Sequence, residues 1–357
     1  DFGLRISFGF RASDFGFPAV SRRASSPMSR ALSIAIARHA MATRFEIVLH
    51  GSNLATLRAA GEEALDEIER LDAQLSPYRP TSEIAHLNAR AAVEPVRVEP
   101  GLFRLLERAQ QLSAETGGAF DITIAPLMRC WGLQGQRQGE GETPELHSAN
   151  LPISGPGRVP EPGELAEARS NVGMRLVELD PERFTVRFAR PGVKLDLGAI
   201  GKGYALERAA EILREAGVSS ALLHGGTSTV CALGSPPEAE TWRVAIAGPP
   251  GEPASPPFAV AGLRDEALSV SAVWGKCFQA AGVTYGHVID PRTGYPAAAA
   301  VLAAVVLPSA TETDAFSTAL LTAGIAGREG IAGLRRGMRT LVVEPQKNGI
   351  FLQKNCL

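Results

Sequence analysis

Alternating and helical apolar spacings divide the first part of the chain into a predicted strand and two amphipathic helices. Residues 45–49 alternate apolar and polar side chains, which is the period of a half-buried strand. Over 55–74 the apolar positions recur at three- and four-residue intervals, which predicts a helix with one face on a sheet and one face in water. A second helix is predicted over 102–116, ending at Gly117 and Gly118.

Shorter apolar runs in the second half of the chain predict more strands than helices. A helix is expected over 204–216, after a strand at 193–197 and a glycine-rich turn. The other strands are predicted at 184–188, 218–223, 242–247, 267–272, 283–289, 301–307 and 338–343. Because strands outnumber helices without strict alternation, we predict an α+β fold of mixed or antiparallel sheets flanked by helices.

A polar stretch rich in proline and glycine, over 134–170, interrupts this pattern. Its length favours a lid or a poorly ordered surface insertion. We therefore expect a main domain over 41–345 that contains this insertion. Residues 1–40 would be a disordered or residual signal segment, since a short apolar run lies there among arginines, and 346–357 would form a tail.

Composition places the chain among soluble globular proteins. It has 357 residues, 45% apolar content and a formal net charge of -2, so neither a nucleic-acid partner nor a membrane surface is indicated. No apolar run approaches the ~20 residues that a transmembrane helix needs. The cysteines are scattered without a CxxC pair, which favours reduced thiols over a disulfide framework or a zinc site. They are Cys130, Cys231, Cys277 and Cys356.

The segment 313–318 offers a candidate cation site. Asp314 and Thr318 lie four residues apart on one predicted helix face, so both oxygen atoms can point at one hard cation. The alternative is an aspartate near a helix N-terminus with a threonine bonded back to the helix. His287, three residues before Asp290 and a Pro-Arg-Thr-Gly turn, has the position of a general base or of a structural histidine. A cation beside an acid/base group favours phosphoryl chemistry.

The segment 196–203 has the form strand, glycine-rich turn, helix, which exposes backbone N–H groups to a phosphate. It has neither the GxxxxGK[ST] nor the GxGxxG spacing, and a purely structural turn is the alternative. Lys202 in the first helical turn opposes the helix dipole, and a bound anion would explain it. Asp121 is either a ligand anchor or a turn former, and Tyr78 could stack on a flat ring.

Taken in order, these segments resemble the FAD:protein FMN transferase family. Five blocks carry the resemblance: 41–45; 75–88 with Ser-Pro-Tyr and Ser-Glu-Ile; 117–132; 194–226; and 267–324 with HVIDPRTG and DAFSTALL. The match covers roughly residues 41 to 345, and its specificity comes from the number and order of the blocks. It implies a T-fold-like flavin transferase fold.

The resemblance also implies an activity and a set of site residues. The enzyme would cleave the pyrophosphate of FAD with magnesium, release AMP, and attach FMN through a phosphoester to a threonine of a target protein. Mg²⁺ would be bound by the side chains of Asp314 and Thr318 and by the carbonyl of Ala199, and His287 would act as the base. The residues expected to contact FAD are Met41, Tyr78, Ala119, Phe120, Asp121, Asp196, Lys202 and Ile289.

Three positions depart from the family pattern: Ala42 stands in place of glycine, His224 in place of asparagine, and Ala272 in place of glycine. None of them removes a metal or diphosphate group. They leave open the fit around the flavin ring, the choice of target protein and the rate.

Two other functions use the same residues differently. A FAD pyrophosphatase would give FMN to water with the same metal site. A FAD-binding or storage protein would keep the pocket and tolerate the loss of Asp314 and His287.

The resemblance also bears on the compartment. It implies a position on the outer face of the cytoplasmic membrane, often through a lipid anchor. The first 129 residues, however, contain no cysteine for lipidation, and a cytoplasmic location is the alternative.

Overall fold

The computed structural model describes residues 4–6, 32–133, 157–248, 257–274, 277–346, 349–355 and 357. The strands are β1 (Leu4–Ile6), β2 (Leu32–Ala40), β3 (Thr43–Gly51), β4 (Val96–Arg97), β5 (Val177–Asp180), β6 (Thr185–Phe188), β7 (Ser220–Gly225), β8 (Thr229–Leu233), β9 (Trp242–Ile246), β10 (Ala259–Leu263), β11 (Ala267–Ala272), β12 (Cys277–Ala280), β13 (Val283–Gly286), β14 (Leu302–Leu307), β15 (Arg339–Gln346) and β16 (Gly349–Asn355). The helices are α1 (Leu54–Leu75), α2 (Glu83–Arg90), α3 (Pro100–Glu115), α4 (Ala125–Cys130), α5 (Pro162–Ser170), α6 (Gly201–Glu215) and α7 (Ala310–Ala332).

An eight-stranded sheet organises the molecule. Its strand order is β16-β15-β14-β11-β8-β7-β3-β2, and every neighbouring pair is antiparallel. The predicted α+β class with an antiparallel sheet is therefore confirmed.

Helices α1, α6 and α7 cover one face of this sheet. Ile47 and Leu49 of β3, Ile68 of α1 and Phe316 of α7 are fully buried there in one large apolar cluster. The periodicity that predicted α1 is the cause, because its apolar positions Leu57 to Leu75 all turn toward the sheet. No helix in the described ranges combines the length and the apolar composition that a membrane span needs.

The opposite face of the sheet is covered by the small sheet β1-β9-β10. Trp242 and Val244 of β9 and Ala261 of β10 pack there against buried side chains of β8, β11, β14 and β15. A third apolar cluster lies beside the main one, where Trp131 packs with Leu165 of α5 and Ile289. The indole N–H of Trp131 donates a hydrogen bond to Gly294 O at 2.8 Å.

The segment 193–197 corrects one strand prediction, because it is extended but has no strand partner in the described ranges. Its backbone bonds elsewhere: Leu195 N donates to Asn88 Oδ1 at 2.7 Å, and Asp196 N donates to Ile122 O at 2.8 Å. A buried backbone that finds such partners needs no strand ladder. The helix that follows begins at Gly201, three residues earlier than predicted.

The predicted domain limits are also corrected. Residues 32–40, assigned above to a disordered or residual signal segment, form β2 and pair with β3 along its whole length. Residues 349–355, assigned to a tail, form β16. Of the predicted insertion over 134–170, residues 134–156 lie outside the described residues, and 162–170 form helix α5.

Cys130 and Cys231 are buried free thiols, and Cys277 is a half-buried one. Burial raises the pKa of the Cys130 thiol to about 11 and that of the Cys231 thiol to about 12. Both thiols therefore behave as small apolar core groups, as the scattered cysteine positions indicated. Cys356 lies outside the described residues.

Candidate active site

Helix α7 carries the candidate metal ligands on one face. Asp314, Thr318 and Thr322 follow each other at four-residue intervals, so their side chains lie one above the other. The helix starts at a Ser309 cap, whose hydroxyl accepts a hydrogen bond from Glu312 N at 3.2 Å and donates one to Glu207 of α6 at 2.7 Å. The predicted helix over 313–318 is therefore confirmed, and its first turn is fixed to α6.

Asp314 lies at the contact between α7 and α6, with only 4% of its surface exposed. Its Oδ2 accepts a hydrogen bond from Gly203 N at 3.1 Å and lies 3.9 Å from Lys202 Nζ. Its other oxygen, Oδ1, accepts no hydrogen bond from the described residues. The Oδ1 atom is therefore available as an oxygen ligand for a hard cation, while the positive groups lie beside Oδ2.

Gly203 makes this close approach possible. A Cβ atom at this position would lie 2.1 Å from Ala310 O and 2.9 Å from Asp314 Cβ, distances that no side chain can keep. A residue without a Cβ is therefore required where α6 and α7 touch. The same contact lets the Gly203 N–H reach the Asp314 carboxylate.

The glycine-rich turn before α6 is held by its own polar groups. Asp196 Oδ1 accepts a hydrogen bond from Gly198 N at 2.8 Å, and Lys202 Nζ donates one to Gly198 O at 3.1 Å. Because the same Nζ atom lies near Asp314, the turn at 198–199 lies beside that carboxylate. Ala199 is half-buried there. A lysine at a helix N-terminus opposes the helix dipole, and Asp314 supplies a negative partner for Lys202 that offsets this.

Thr318 is consistent with both interpretations that its spacing left open. Its hydroxyl donates a hydrogen bond to Asp314 O at 3.2 Å, which is the back-bonding arrangement. This bond uses the single hydroxyl proton and leaves oxygen lone pairs for another partner. Ser271 Oγ of β11 lies 3.3 Å away from the same oxygen. The back bond and a role as cation ligand are therefore compatible.

The donor set fits a small hard cation. In the ranges that the structure describes, no group of three or more His, Cys, Asp or Glu side chains is arranged to hold a metal ion. The set of Asp314, Thr318 and the Ala199 carbonyl contains only oxygen and a single negative charge. Mg²⁺ is typically bound by one or two protein carboxylates and completes its shell with water and substrate phosphate oxygens, so these residues suit it.

The carboxylate of Asp121 is engaged by hydrogen bonds within the protein. Its carboxylate is 7% exposed and accepts hydrogen bonds from Thr123 N at 2.8 Å, Thr123 Oγ1 at 2.6 Å, Ser113 Oγ at 3.1 Å and Met174 N at 2.9 Å. All this bonding is internal, which favours the turn-forming interpretation. Phe120 and Ala119 beside it are buried, and Ala119 O accepts a hydrogen bond from Thr322 Oγ1 at 3.0 Å.

His287 follows the end of β13 directly, at the start of the segment that leads to β14. Asp290 does not lie open beside it, because this carboxylate binds Arg292 through Nε at 2.9 Å and Nη2 at 2.8 Å. The same hydrogen bonds raise the pKa of Arg292. Arg292 Nη2 also donates to Thr322 O at 3.2 Å, so the turn after His287 is fixed to α7. Ile289 is buried and forms a bridge with Pro296.

Tyr78 lines a cavity of about 200 Å³. Its ring is 43% exposed, which leaves a flat surface for a ligand ring. Burial lowers the pKa of Lys194, and the charge of the nearby Arg129 lowers it further. The lining residues are Pro77, Tyr78, Ala85, Asn88, Ala89, Ala125, Arg129, Lys194 and Leu195. The cavity thus lies between α2, the start of α4 and the residues Lys194 and Leu195 before the glycine-rich turn.

Met41 lies at the tip of the β2–β3 hairpin. Ala40 pairs with Thr43, so Met41 and Ala42 form a two-residue turn, and both have positive φ values, 49° and 56°. This is the turn type that favours glycine or asparagine. Pairing of Phe45 with Gly225 brings the hairpin beside the end of β7.

Three residues of this region escaped the sequence analysis: Ser271, Gly203 as a contact point, and Thr322. Ser271 was hidden in a short apolar strand, although the two-residue period of β11 places it with Ser269 on one face. Thr322 continues the spacing of Asp314 and Thr318, and this extension of the period was the available signal.

Comparison with known proteins gives a consistent result. The model of the ApbE family matches residues 41–341. The FAD:protein FMN transferase of Treponema pallidum is 31% identical over 309 residues, which cover 82% of this chain and 79% of that protein. The FAD:protein FMN transferase of Haemophilus influenzae is 28% identical over 278 residues, 77% of this chain and 75% of that protein.

Solved structures agree with these matches. The crystal structure of the ApbE protein from Thermotoga maritima has a TM-score of 0.77 and 26% identity, covering 91% of this chain and 97% of its own. The apo form of the Pseudomonas stutzeri flavinyl transferase ApbE has a TM-score of 0.73 and 25% identity, covering 91% and 95%.

Proposed function

The chain belongs to the ApbE family and is a FAD:protein FMN transferase, and we propose that it uses Mg²⁺ to transfer FMN to a threonine hydroxyl of its target protein and releases AMP. The observation that carries the proposal is the geometry around Asp314. In this buried carboxylate, Oδ2 lies beside Lys202 and the N-terminus of α6, whereas Oδ1 accepts no hydrogen bond from the described residues. Anionic substrate and cation would meet at this point.

Mg²⁺ would be held by Asp314, the Thr318 hydroxyl and the Ala199 carbonyl. When bound, it would neutralise charge on the FAD diphosphate and on the departing AMP. Lys202 is long enough to turn from Gly198 O toward a phosphate oxygen. These residues would orient the diphosphate in line for substitution.

The flavin and adenine parts of FAD would be bound by the residues around the Tyr78 cavity. We propose that Tyr78 stacks on one ring and that the backbone of Ala119 and Phe120 contributes, with Asp121 holding that turn in shape. Met41, Asp196 and Ile289 are assigned to the remaining FAD contacts on the family resemblance.

His287 would act as the base toward the acceptor. The threonine oxygen would form a bond to the phosphorus of the FMN half, the bond from that phosphorus to AMP would break, and His287 would take the hydroxyl proton. AMP would leave with the electron pair of the broken bond. The hydrogen bonds from Arg292 to Asp290 and to Thr322 would hold the loop of His287 against α7.

A protein acceptor needs an open approach to this site. Leu165 of α5 packs in the same cluster as Ile289, so we propose α5 as one wall of that approach. The rest of the predicted insertion, 134–156, lies outside the described residues.

The test is mass spectrometry of a threonine-bearing acceptor protein incubated with the enzyme, FAD and Mg²⁺, with AMP followed in parallel. We expect the mass of FMN on the acceptor and an equal amount of AMP. An acceptor with that threonine replaced by alanine serves as the control and should stay unmodified. Release of AMP and free FMN, with no modified acceptor, would instead identify a FAD pyrophosphatase, and no turnover would leave FAD binding as the function.

A further inference from the structure

Two hydroxyl contacts of similar form join β11 to α7. In the first, Ser269 Oγ lies 2.9 Å from Thr313 Oγ1. In the second, Ser271 Oγ lies 2.9 Å from Ser317 Oγ and 3.3 Å from Thr318 Oγ1. The strand period of two and the helix period of about four bring the pairs into register. Only the second contact reaches a proposed metal ligand.

The direction of the hydroxyl protons at the second contact follows from counting donors. Asp314 O accepts from Ser317 Oγ at 3.0 Å and from Thr318 Oγ1 at 3.2 Å. Each hydroxyl has one proton, so both helix hydroxyls have used theirs on this carbonyl. Ser271 must then act as the donor, and it shares its proton between Ser317 Oγ at 2.9 Å and Thr318 Oγ1 at 3.3 Å.

This arrangement leaves one lone pair of Thr318 Oγ1 for a cation, since the other accepts from Ser271. Ser271 also limits rotation of the Thr318 side chain, because its oxygen lies on one side of Oγ1 at 3.3 Å. Without Ser271, Ser317 and Thr318 lose the partner that holds their hydroxyls against the sheet. A flexible threonine that must be oriented on binding makes a weaker ligand.

We propose that Ser271 is a positioning residue for the Mg²⁺ site, which fixes the Thr318 hydroxyl with its remaining lone pair directed at the cation. The proposal rests on the function proposed above. It assigns to β11 a share in metal binding that comes from hydrogen bonding rather than from ligation.

Ser269 provides a matched control in the same strand. Its partner Thr313 is fully buried and donates to Ala310 O at 2.9 Å. This carbonyl lies one helical turn before Asp314 O, which accepts at the second contact. Ser269→Ala removes the same hydroxyl, from the same strand face, and leaves Thr318 and its partners unchanged. Ser269→Ala therefore measures how far the loss of any hydroxyl contact between β11 and α7 changes the metal affinity.

The test measures metal affinity in two ways. Binding of Mn²⁺ alone is followed by electron paramagnetic resonance, and the Mg²⁺ concentration that gives half-maximal AMP release is measured with FAD and acceptor protein. For Ser271→Ala we expect both constants, the Mn²⁺ dissociation constant and the Mg²⁺ concentration for half-maximal AMP release, to rise by about tenfold. This is the low end for a residue that orients a metal ligand. The rate at saturating Mg²⁺ should change by no more than about twofold. Ser271→Thr, which keeps the hydroxyl, should restore both constants, and Ser269→Ala should leave both as in the unmodified protein.

Three outcomes would overturn the proposal. If Asp314→Ala removes Mn²⁺ binding and Ser271→Ala leaves both constants unchanged, the metal site stands and the role of Ser271 is wrong. Equal shifts in Ser269→Ala and Ser271→Ala would mean a general displacement of α7. If Asp314→Ala keeps both Mn²⁺ binding and transfer, the metal assignment of the proposed function is wrong, and the role of Ser271 with it. Thermal unfolding of each variant confirms that folded proteins are compared.

Discussion

The two faces of the eight-stranded sheet differ in chemistry, and β11 shows this within six residues. Leu268 and Val270 turn to the face covered by β9 and β10, where the packed cluster is apolar throughout. Ser269 and Ser271 turn to α7 and bond to hydroxyl groups there. Buried polar groups cost stability unless they are paired, and here each has a partner. Both faces bury apolar side chains, but the helix-covered face gives up part of its apolar packing for the hydroxyl contacts beside Asp314 and Thr318.

Substitution of Asp314 on the helix-covered face should have the largest effect on activity. Asp314→Ala removes the only charged residue among the proposed metal ligands, and we expect FMN transfer to fall by about 10³-fold or more, since a catalytic cation contributes several kcal/mol to the barrier. The measurement is the initial rate of acceptor modification. Asp314→Asn is the matched variant, because its amide oxygen can still accept from Gly203 N. It should unfold at nearly the same temperature as the unmodified protein and still be inactive. Transfer at an unchanged rate in either variant would contradict the metal assignment.

Leu341→Ala tests the apolar face. Leu341 of β15 is fully buried in the cluster against β9 and β10. Removing its side chain should destabilise the protein by about 2–5 kcal/mol, through lost burial and the cavity left behind. Denaturant unfolding measures this, and the transfer rate per folded molecule should be unchanged. A large loss of rate in fully folded Leu341→Ala would mean that the two faces are not separable.

Gly203→Ala should affect stability and activity together, because Gly203 lies where α6 meets the Asp314 helix. Its new Cβ would lie 2.1 Å from Ala310 O, so the helices must move apart at a cost of about 1–3 kcal/mol. The shift would also displace Asp314, and a displacement near 1 Å can lower the rate about 10²-fold. Both the unfolding free energy and the transfer rate are measured.

Gly330→Ala is the control for that substitution. Gly330 lies in α7, the partner helix of that contact, and an added Cβ there would meet nothing within 4 Å. Alanine favours the helix there by about 0.5–1 kcal/mol, so this variant should gain stability and keep its rate. If Gly203→Ala behaves like Gly330→Ala, the contact between α6 and α7 is looser than its geometry indicates.

The sequence predicted best those elements whose pattern is local. Helix α1 was predicted over 55–74 and extends over Leu54–Leu75, because its apolar stripe is long and regular. The sequence-based strand prediction failed at 193–197, because the backbone there bonds to the side chain of the distant Asn88 instead of to a strand. It also missed β2 over 32–40, since an edge strand with many exposed positions has a weak apolar pattern.

The candidate site shows the same division. The spacing of Asp314 and Thr318 was readable because one helix carries both residues. The part played by Gly203, Ser271 and Thr322 depends on contacts between segments that lie far apart in the chain. Asp121 had the right neighbours for a ligand residue, and only the structure shows its carboxylate engaged by Ser113, Thr123 and Met174. No pattern of spacing reports such contacts, because tertiary packing creates them.

The smallest effect is expected at the hairpin of β2 and β3, where the edge of the sheet approaches the proposed FAD contact Met41. Ala42 has a φ of 56°, a conformation that costs a residue with a Cβ roughly 1–2 kcal/mol and glycine almost nothing. Part of that gain is lost because glycine is freer in the unfolded chain, so Ala42→Gly should stabilise the protein by about 0.5–1 kcal/mol. Denaturant unfolding measures the gain, and FAD affinity is measured alongside it. An unchanged FAD affinity would indicate that the turn has only a structural role at the sheet edge. Tighter FAD binding would indicate that the hairpin is part of the FAD site. A loss of stability would contradict the turn conformation itself.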